Sequence, residues 1–196
     1  NGKIEVGGRN FSCHRKEGHG ALTMEQAMEK SCNVYFISLL LDQGEQGYSA
    51  ALELARQLGF DRAKTLCPGV VKQAGSLPEE KLSRQLAANI AIGQGSLLAT
   101  PLDLAALVCA IANGGLLPDV RLVEGLLEDG EMLRELGGQE GWQRVMSEQT
   151  AAALRAMMEE TCRSGTGTTA QPEPFEAGGK TASAETGWVR GGEAVV

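Results

Sequence analysis

The stretch from Gly18 to Phe36, GHGALTMEQAMEKSCNVYF, constrains this chain more than any other. Thr23 followed by Gln26 spells a capping box, so a helix is expected to start at Met24. Met24, Ala27, Met28 and Ser31 then recur at i, i+3, i+4 and i+7, a single helical face. This spacing puts Ser31 at the helix end, on the side of its apolar stripe, pointing toward packed protein or a cleft. Asn33 suits the cap of a second helix, and Val34 through Leu41 reads as buried nearly all round. A hydroxyl and a carboxamide two residues apart are thereby held in a turn between two anchored helices, as a rigid site requires. The same residue types also build ordinary helix connections, so the stretch alone identifies no function.

The flanking chain frames this centre. Residues 1–17 alternate loosely and carry glycines, which predicts a short hairpin or an extended loop. Cys13, His14 and His19 lack nearby carboxylate partners and are read as loop and turn residues, with no metal assigned. Tyr48, Ala51, Leu52, Ala55 and Leu58 share a helical face that stops at Gly59. Residues 60–80, with Pro68, Gly69, Gly75 and Pro78, read as a surface loop. Gly93-Gln94-Gly95 lacks the Lys-Ser/Thr of a phosphate loop and reads as a close-packed turn. Thr100-Pro101-Leu102-Asp103 is a strong helix start, and Asn113-Gly114-Gly115 is the matching stop.

Further on, Val120 to Leu127 alternates as a half-exposed strand does, and Glu128-Asp129-Gly130 is a turn. Ser147 should cap a helix bearing Leu154, Met157, Met158 and Thr161 on one face, ahead of the glycine-rich 164–168 loop. In FEAGGKTASAETG (175–187), a strand would put Lys180 and Ala182 on one face and Thr181 and Ser183 on the other.

Charge and cysteine usage narrow the classes. The net charge is −7 and no basic stripe stands out, so a nucleic-acid partner is not expected. No apolar run reaches the length of a membrane span, and no signal peptide is recognisable. The five cysteines have no CxxC spacing, which points to neither a zinc cluster nor a redox pair, and Cys32 and Cys109 are read as small core residues. The start at Asn1 and the stop inside an apolar run are both expected to be cuts from a longer protein.

Four segments together resemble the transpeptidase domain of penicillin-binding proteins, most like the high-molecular-weight class B type. They are HGALTMEQAMEKSCNVYF (19–36), IGQGSLLATPLDLAALVCAIANGG (92–115), VMSEQTAAALRAMMEE with its GTG loop (145–167), and AGGKTASAETG (177–187). Ser31 and Asn33 fall on the family's Ser-x-Asn motif, and Lys180, Thr181 and Ala182 on its Lys-Thr-Gly motif. Ala182 stands where the family has Gly, and Ser183 where it usually has Thr. The first family motif, Ser-x-x-Lys, is absent: before Ser31 there is only Ser12, with Arg15 in the lysine's place.

The resemblance implies an α/β fold of the α+β, β-lactamase/transpeptidase-like type. Residues 1–196 would form a partial domain, with a mainly helical subdomain over 20–115 and the start of an antiparallel sheet over 170–196. The exposed edge of a 175–183 strand would then invite self-association. It also implies serine acyl transfer between D-Ala-D-Ala stem peptides of peptidoglycan, and binding of β-lactams. Ser31, Asn33 and Lys180 would be catalytic, while Thr181, Ala182 and Ser183 would bind substrate. No cofactor is implied. The nucleophile would lie outside this chain, so the isolated chain is expected to be inactive. The parent would be anchored at the extracytoplasmic face of the membrane, with cell-division or elongation proteins as candidate partners. A β-lactam sensor domain and a non-catalytic peptidoglycan-binding module are the alternatives.

Overall fold

The computed structural model describes residues 1–78, 83–135, 141–183, 189–190 and 193–194. It divides into two compact units, the first of residues 1–51, 78–97 and 155–196, the second of residues 52–77 and 98–154.

The first unit opens with a hairpin of β1 (Lys3–Val6) and β2 (Arg9–Ser12), paired antiparallel from Lys3↔Ser12 to Val6↔Arg9. Gly7 and Gly8 form its two-residue turn, both at positive φ, the conformation that matches the twist of the flanking strands. Val6 and Phe11 point inward. They join Ile37, Leu41 and Tyr48 of α2 (Asn33–Gln57) and Ala87 and Ala88 of α3 (Arg84–Ile90) in one core cluster. Ser83 caps α3 by accepting the Leu86 N–H.

The two helices expected after Ser31 are one assigned element, interrupted at Gly44, whose φ of 60° and ψ of −149° are open only to glycine. A second cluster joins Cys13, Ala27 and Cys32 under Leu22, Val34, Tyr35 and Phe36. In α5 (Glu148–Arg163), Met157, Met158, Thr161 and Cys162 are buried. Ser147 caps α5 as its sequence promised, accepting the Thr150 N–H at 3.0 Å.

The strand expected over 175–183 does not form. Gly179 donates its N–H to the Met158 carbonyl of α5, a single bond to a helix rather than a ladder. Beyond residue 170, the ladder among the described residues is the pair β9 (Val189–Arg190) and β10 (Glu193–Ala194).

In the second unit the segment read as a loop contains a hairpin, β3 (Lys64–Cys67) with β4 (Val70–Lys72). Its turn is Pro68-Gly69, with Gly69 at φ 81°. Proline at the first and glycine at the second central position favour a tight turn, which the loop reading overlooked. The helix α4 (Pro101–Ala112) starts on a complete capping box between Thr100 and Asp103. Its buried face is Asp103, Ala106 and Ala110, so Leu104 and Val108 stay exposed and Cys109 is a surface residue, not the core residue expected. Lys72 of β4 reaches Asp103 at 2.6 Å, and both side chains are more than nine-tenths buried. Two short ladders complete this unit: β5 (Leu116–Leu117) with β8 (Gln143–Arg144), and β6 (Gly125–Glu128) with β7 (Glu131–Glu135). The strand expected from Val120 begins only at Gly125, and Asp129-Gly130 turns it back. Among the described residues, no helix is long and apolar enough to cross a membrane.

Candidate active site

All six residues singled out in the sequence lie in the first unit, around a cleft of ≈ 580 Å³. The helix α1 (Met24–Glu29) starts on the expected capping box: Thr23 Oγ1 accepts the Gln26 N–H, and Gln26 Oε1 accepts the Thr23 N–H at 3.0 Å. It ends two residues earlier than the apolar spacing suggested. Lys30 is its C-terminal cap, and Ser31 follows in the left-handed region at φ 49°. The backbone then turns back: Cys32 N–H donates to the Ala27 carbonyl, and α2 begins at Asn33. Asn33 is thus the first helical residue rather than a cap. Its carboxamide nitrogen donates to the Ser12 carbonyl at 3.1 Å, tying the turn to the end of β2.

Ser31 meets Lys180, which lies 149 positions further along the chain: Lys180 Nζ donates to Ser31 Oγ at 2.7 Å. The same ammonium donates to the Thr181 carbonyl at 2.7 Å. Lys180 is exposed as a residue and lines the cleft. Desolvation there pulls its pKa below the ordinary lysine value. The cleft therefore presents a fixed positive charge directed at a hydroxyl. Thr181, Ala182 and Ser183 line the same wall and are exposed.

Two further residues join the site, both inside segments quoted above but given no role there. Thr166 Oγ1 lies 2.6 Å from Thr181 Oγ1, and Thr166 N–H donates to the Glu29 carbonyl at 3.1 Å, so this loop bridges α1 and the Lys180 segment. Gly165 has to be glycine: a Cβ there would lie 2.4 Å from the Glu29 carbonyl oxygen. On the opposite side, Gln94 Nε2 donates to the Ser183 carbonyl at 3.2 Å. Glycines flanking Thr166 and Gln94 were the available signal, since they let backbone close in around one polar side chain. His14, Met28, Phe36, Ala91, Ile92 and Gly93 complete the lining.

Chemically, this arrangement can attract negative charge and offer hydrogen bonds. It offers one ammonium, several hydroxyls and the carboxamides of Asn33 and Gln94.

The family model of the penicillin binding protein transpeptidase domain matches residues 1–195. Stage V sporulation protein D of Bacillus subtilis is 30% identical over 188 residues, covering 94% of this chain and 28% of that protein. The D,D-transpeptidase domain of a peptidoglycan glycosyltransferase from Eggerthella lenta superimposes with a TM-score of 0.78 at 27% identity, over 94% of this chain and 47% of that one. Penicillin binding protein 3 of Mycobacterium tuberculosis, solved in complex with aztreonam, gives a TM-score of 0.75 at 29% identity, over 94% of this chain and 42% of that one. The chain thus spans well under half the length of the curated relatives it matches.

Proposed function

Because this chain belongs to the penicillin binding protein transpeptidase family, we propose that it carries the second and third motifs of a peptidoglycan D,D-transpeptidase of the class B type. The observation that carries this reading is the 2.7 Å hydrogen bond from Lys180 to Ser31, which joins the two motifs into one polar cleft.

The reaction is serine acyl transfer. A nucleophile attacks the penultimate D-Ala carbonyl of a stem peptide, D-alanine leaves as an amine, and an amine of a neighbouring strand takes the acyl group. No Ser-x-x-Lys occurs in the chain, so the nucleophile and its base are assigned to another segment of the parent protein. Ser31 relays the proton to the departing nitrogen, its Oγ held by the Lys180 ammonium. Asn33, with its amide nitrogen engaged by Ser12, keeps its carboxamide oxygen for the substrate amide N–H. The hydroxyls of Thr181 and Ser183 bind the terminal carboxylate, and Lys180 sets the positive potential that attracts it. The Ser183 N–H serves as an oxyanion donor, a contact worth about 3–4 kcal/mol in such reactions. A β-lactam, which presents a similar carboxylate and acyl group, enters the same cleft. The parent acts at the extracytoplasmic face of the membrane, alongside cell-division or elongation proteins.

Intact mass after incubation with a fluorescent penicillin tests this reading, on the chain and on a version extended upstream through the nucleophile segment. One acyl group on the longer protein alone is the expected result. Stable acylation of the chain itself overturns the assignment of the nucleophile. Acylation of neither folded protein overturns the enzymatic reading in favour of a peptidoglycan-binding module.

A further inference from the structure

The three residues that chain order left without a role are brought together. Cys13 Sγ lies 3.6 Å from His14 Nδ1 and 3.6 Å from His19 Nδ1. The three ligand atoms all fall within 4.8 Å of one another. A tetrahedral zinc ion with Zn–S of about 2.3 Å and Zn–N of about 2.05 Å has an S···N edge of about 3.6 Å. Both sulfur–nitrogen distances already match that edge. Cys32 is the candidate fourth donor: it is buried in the same cluster as Cys13, and the two thiols interact. Cys13, His19 and Cys32 also line a cavity of ≈ 490 Å³ on one side of this cluster, which leaves room for an ion to enter.

We propose that Cys13, His14, His19 and Cys32 form a zinc(II) site at the back of the Ser31 turn. Two thiols and two imidazoles are the donor set that a soft-to-borderline divalent ion selects over magnesium or calcium. Binding releases the two thiol protons to solvent and forms two Zn–S and two Zn–N bonds. No electron moves, and the two thiolates neutralise the ion's charge. The ion ties together three segments: the end of the β1–β2 hairpin, the glycine-flanked His19 turn and the Ser31-Cys32-Asn33 turn. It would therefore stiffen the turn that presents Ser31 and Asn33. This inference stands apart from the acyl chemistry, because it concerns ligand atoms that the proposed reaction does not use.

The test is metal binding by the full, untagged chain, read by metal analysis after dialysis and by cobalt(II) substitution. One equivalent of zinc is expected, with intense near-ultraviolet thiolate-to-cobalt absorption in the cobalt form. Zinc should raise the thermal midpoint by ~5 °C at saturating metal. Cys13→Ala and Cys32→Ala should each weaken binding by more than about 100-fold, while Cys109→Ala, on the exposed face of α4, should bind as the parent does. If Cys13→Ala fails to fold, His19→Ala in the half-exposed turn replaces it and should show the same loss. Less than ~0.1 equivalent on the folded parent chain, absent thiolate bands, or unchanged affinity in Cys32→Ala would each overturn the site.

Discussion

Removing the Asp103 carboxylate should strongly destabilise the second unit. Asp103 accepts from Lys72 Nζ at 2.6 Å, from the Thr100 N–H at 2.9 Å and from Thr100 Oγ1 at 2.7 Å. Lys72 keeps one other partner, the Gly59 carbonyl at 2.9 Å. In Asp103→Ala the ammonium, only 8% exposed, loses its counter-charge, which costs about 3–5 kcal/mol for a buried pair. The broken capping box adds about 1 kcal/mol. The sum, about 4–6 kcal/mol, rivals the whole stability of many domains, about 5–15 kcal/mol. In Lys72→Met/Asp103→Ala no charge is stranded, and only the lost cap and a small cavity remain, about 1–2 kcal/mol.

Urea unfolding reads the difference. With a slope of about 2 kcal/mol/M, the single variant should lose about 2–3 M in midpoint and the double variant about 1 M or less. A single variant within about 1 kcal/mol of the parent would refute the buried-pair reasoning. So would a double variant no more stable than Asp103→Ala. Acid behaviour supplies a second check. Burial works to raise the Asp103 pKa, but the bonds from Lys72 and Thr100 outweigh it, so the net value is lowered. The folded state then holds fewer protons than the unfolded one. The stability contributed is present above the ordinary aspartate value and is lost as pH falls through the lowered one. That acid-side loss should be absent in Asp103→Ala.

The remaining predictions concern the cleft. In the upstream-extended protein, Lys180→Met should slow penicillin acylation by about 10²–10³-fold at unchanged thermal midpoint, measured by stopped labelling and mass. Because the Lys180 pKa is lowered by desolvation, its ammonium is lost as pH rises through a value below that of an ordinary lysine. Acylation should fall on that alkaline limb, and Lys180→Arg, if active, should push the limb upward; an unmoved limb rules Lys180 out as the titrating group. Gly165→Ala should destabilise by about 1–3 kcal/mol, since the new methyl meets the Glu29 carbonyl, and a silent substitution in thermal unfolding would contradict the packing of that loop.

Local chemistry was readable where one residue decides the geometry. The capping boxes at Thr23 and Thr100, the Ser147 cap and the stop near Gly59 all stand where their side chains put them. Period alone misled where competing bonds existed. The apolar spacing carried α1 on to Ser31, but the Cys32 N–H returns to Ala27 and forces Ser31 out of the helix. The 175–183 segment has the alternation of a strand, yet a strand exists only with a neighbour, and Gly179 finds α5 instead. The site was legible as motifs but not as a constellation. No local rule brings Lys180 to Ser31, Thr166 to Thr181 or Gln94 to Ser183, because those meetings are products of tertiary packing. The Cys13–His14–His19 cluster escaped for the same reason, its closure depending on a turn whose course the sequence does not state.

The left-handed backbone at Ser31 has a bearing on how this chain would drift under laboratory evolution. A non-glycine residue held there is disfavoured by about 1–2 kcal/mol, and glycine or asparagine would relax it. A population selected only for solubility or heat resistance should therefore accumulate substitutions at position 31 and lose the hydroxyl, while its fold improves. Persistence of serine there under such selection would mean that the turn is held by something more than its own backbone.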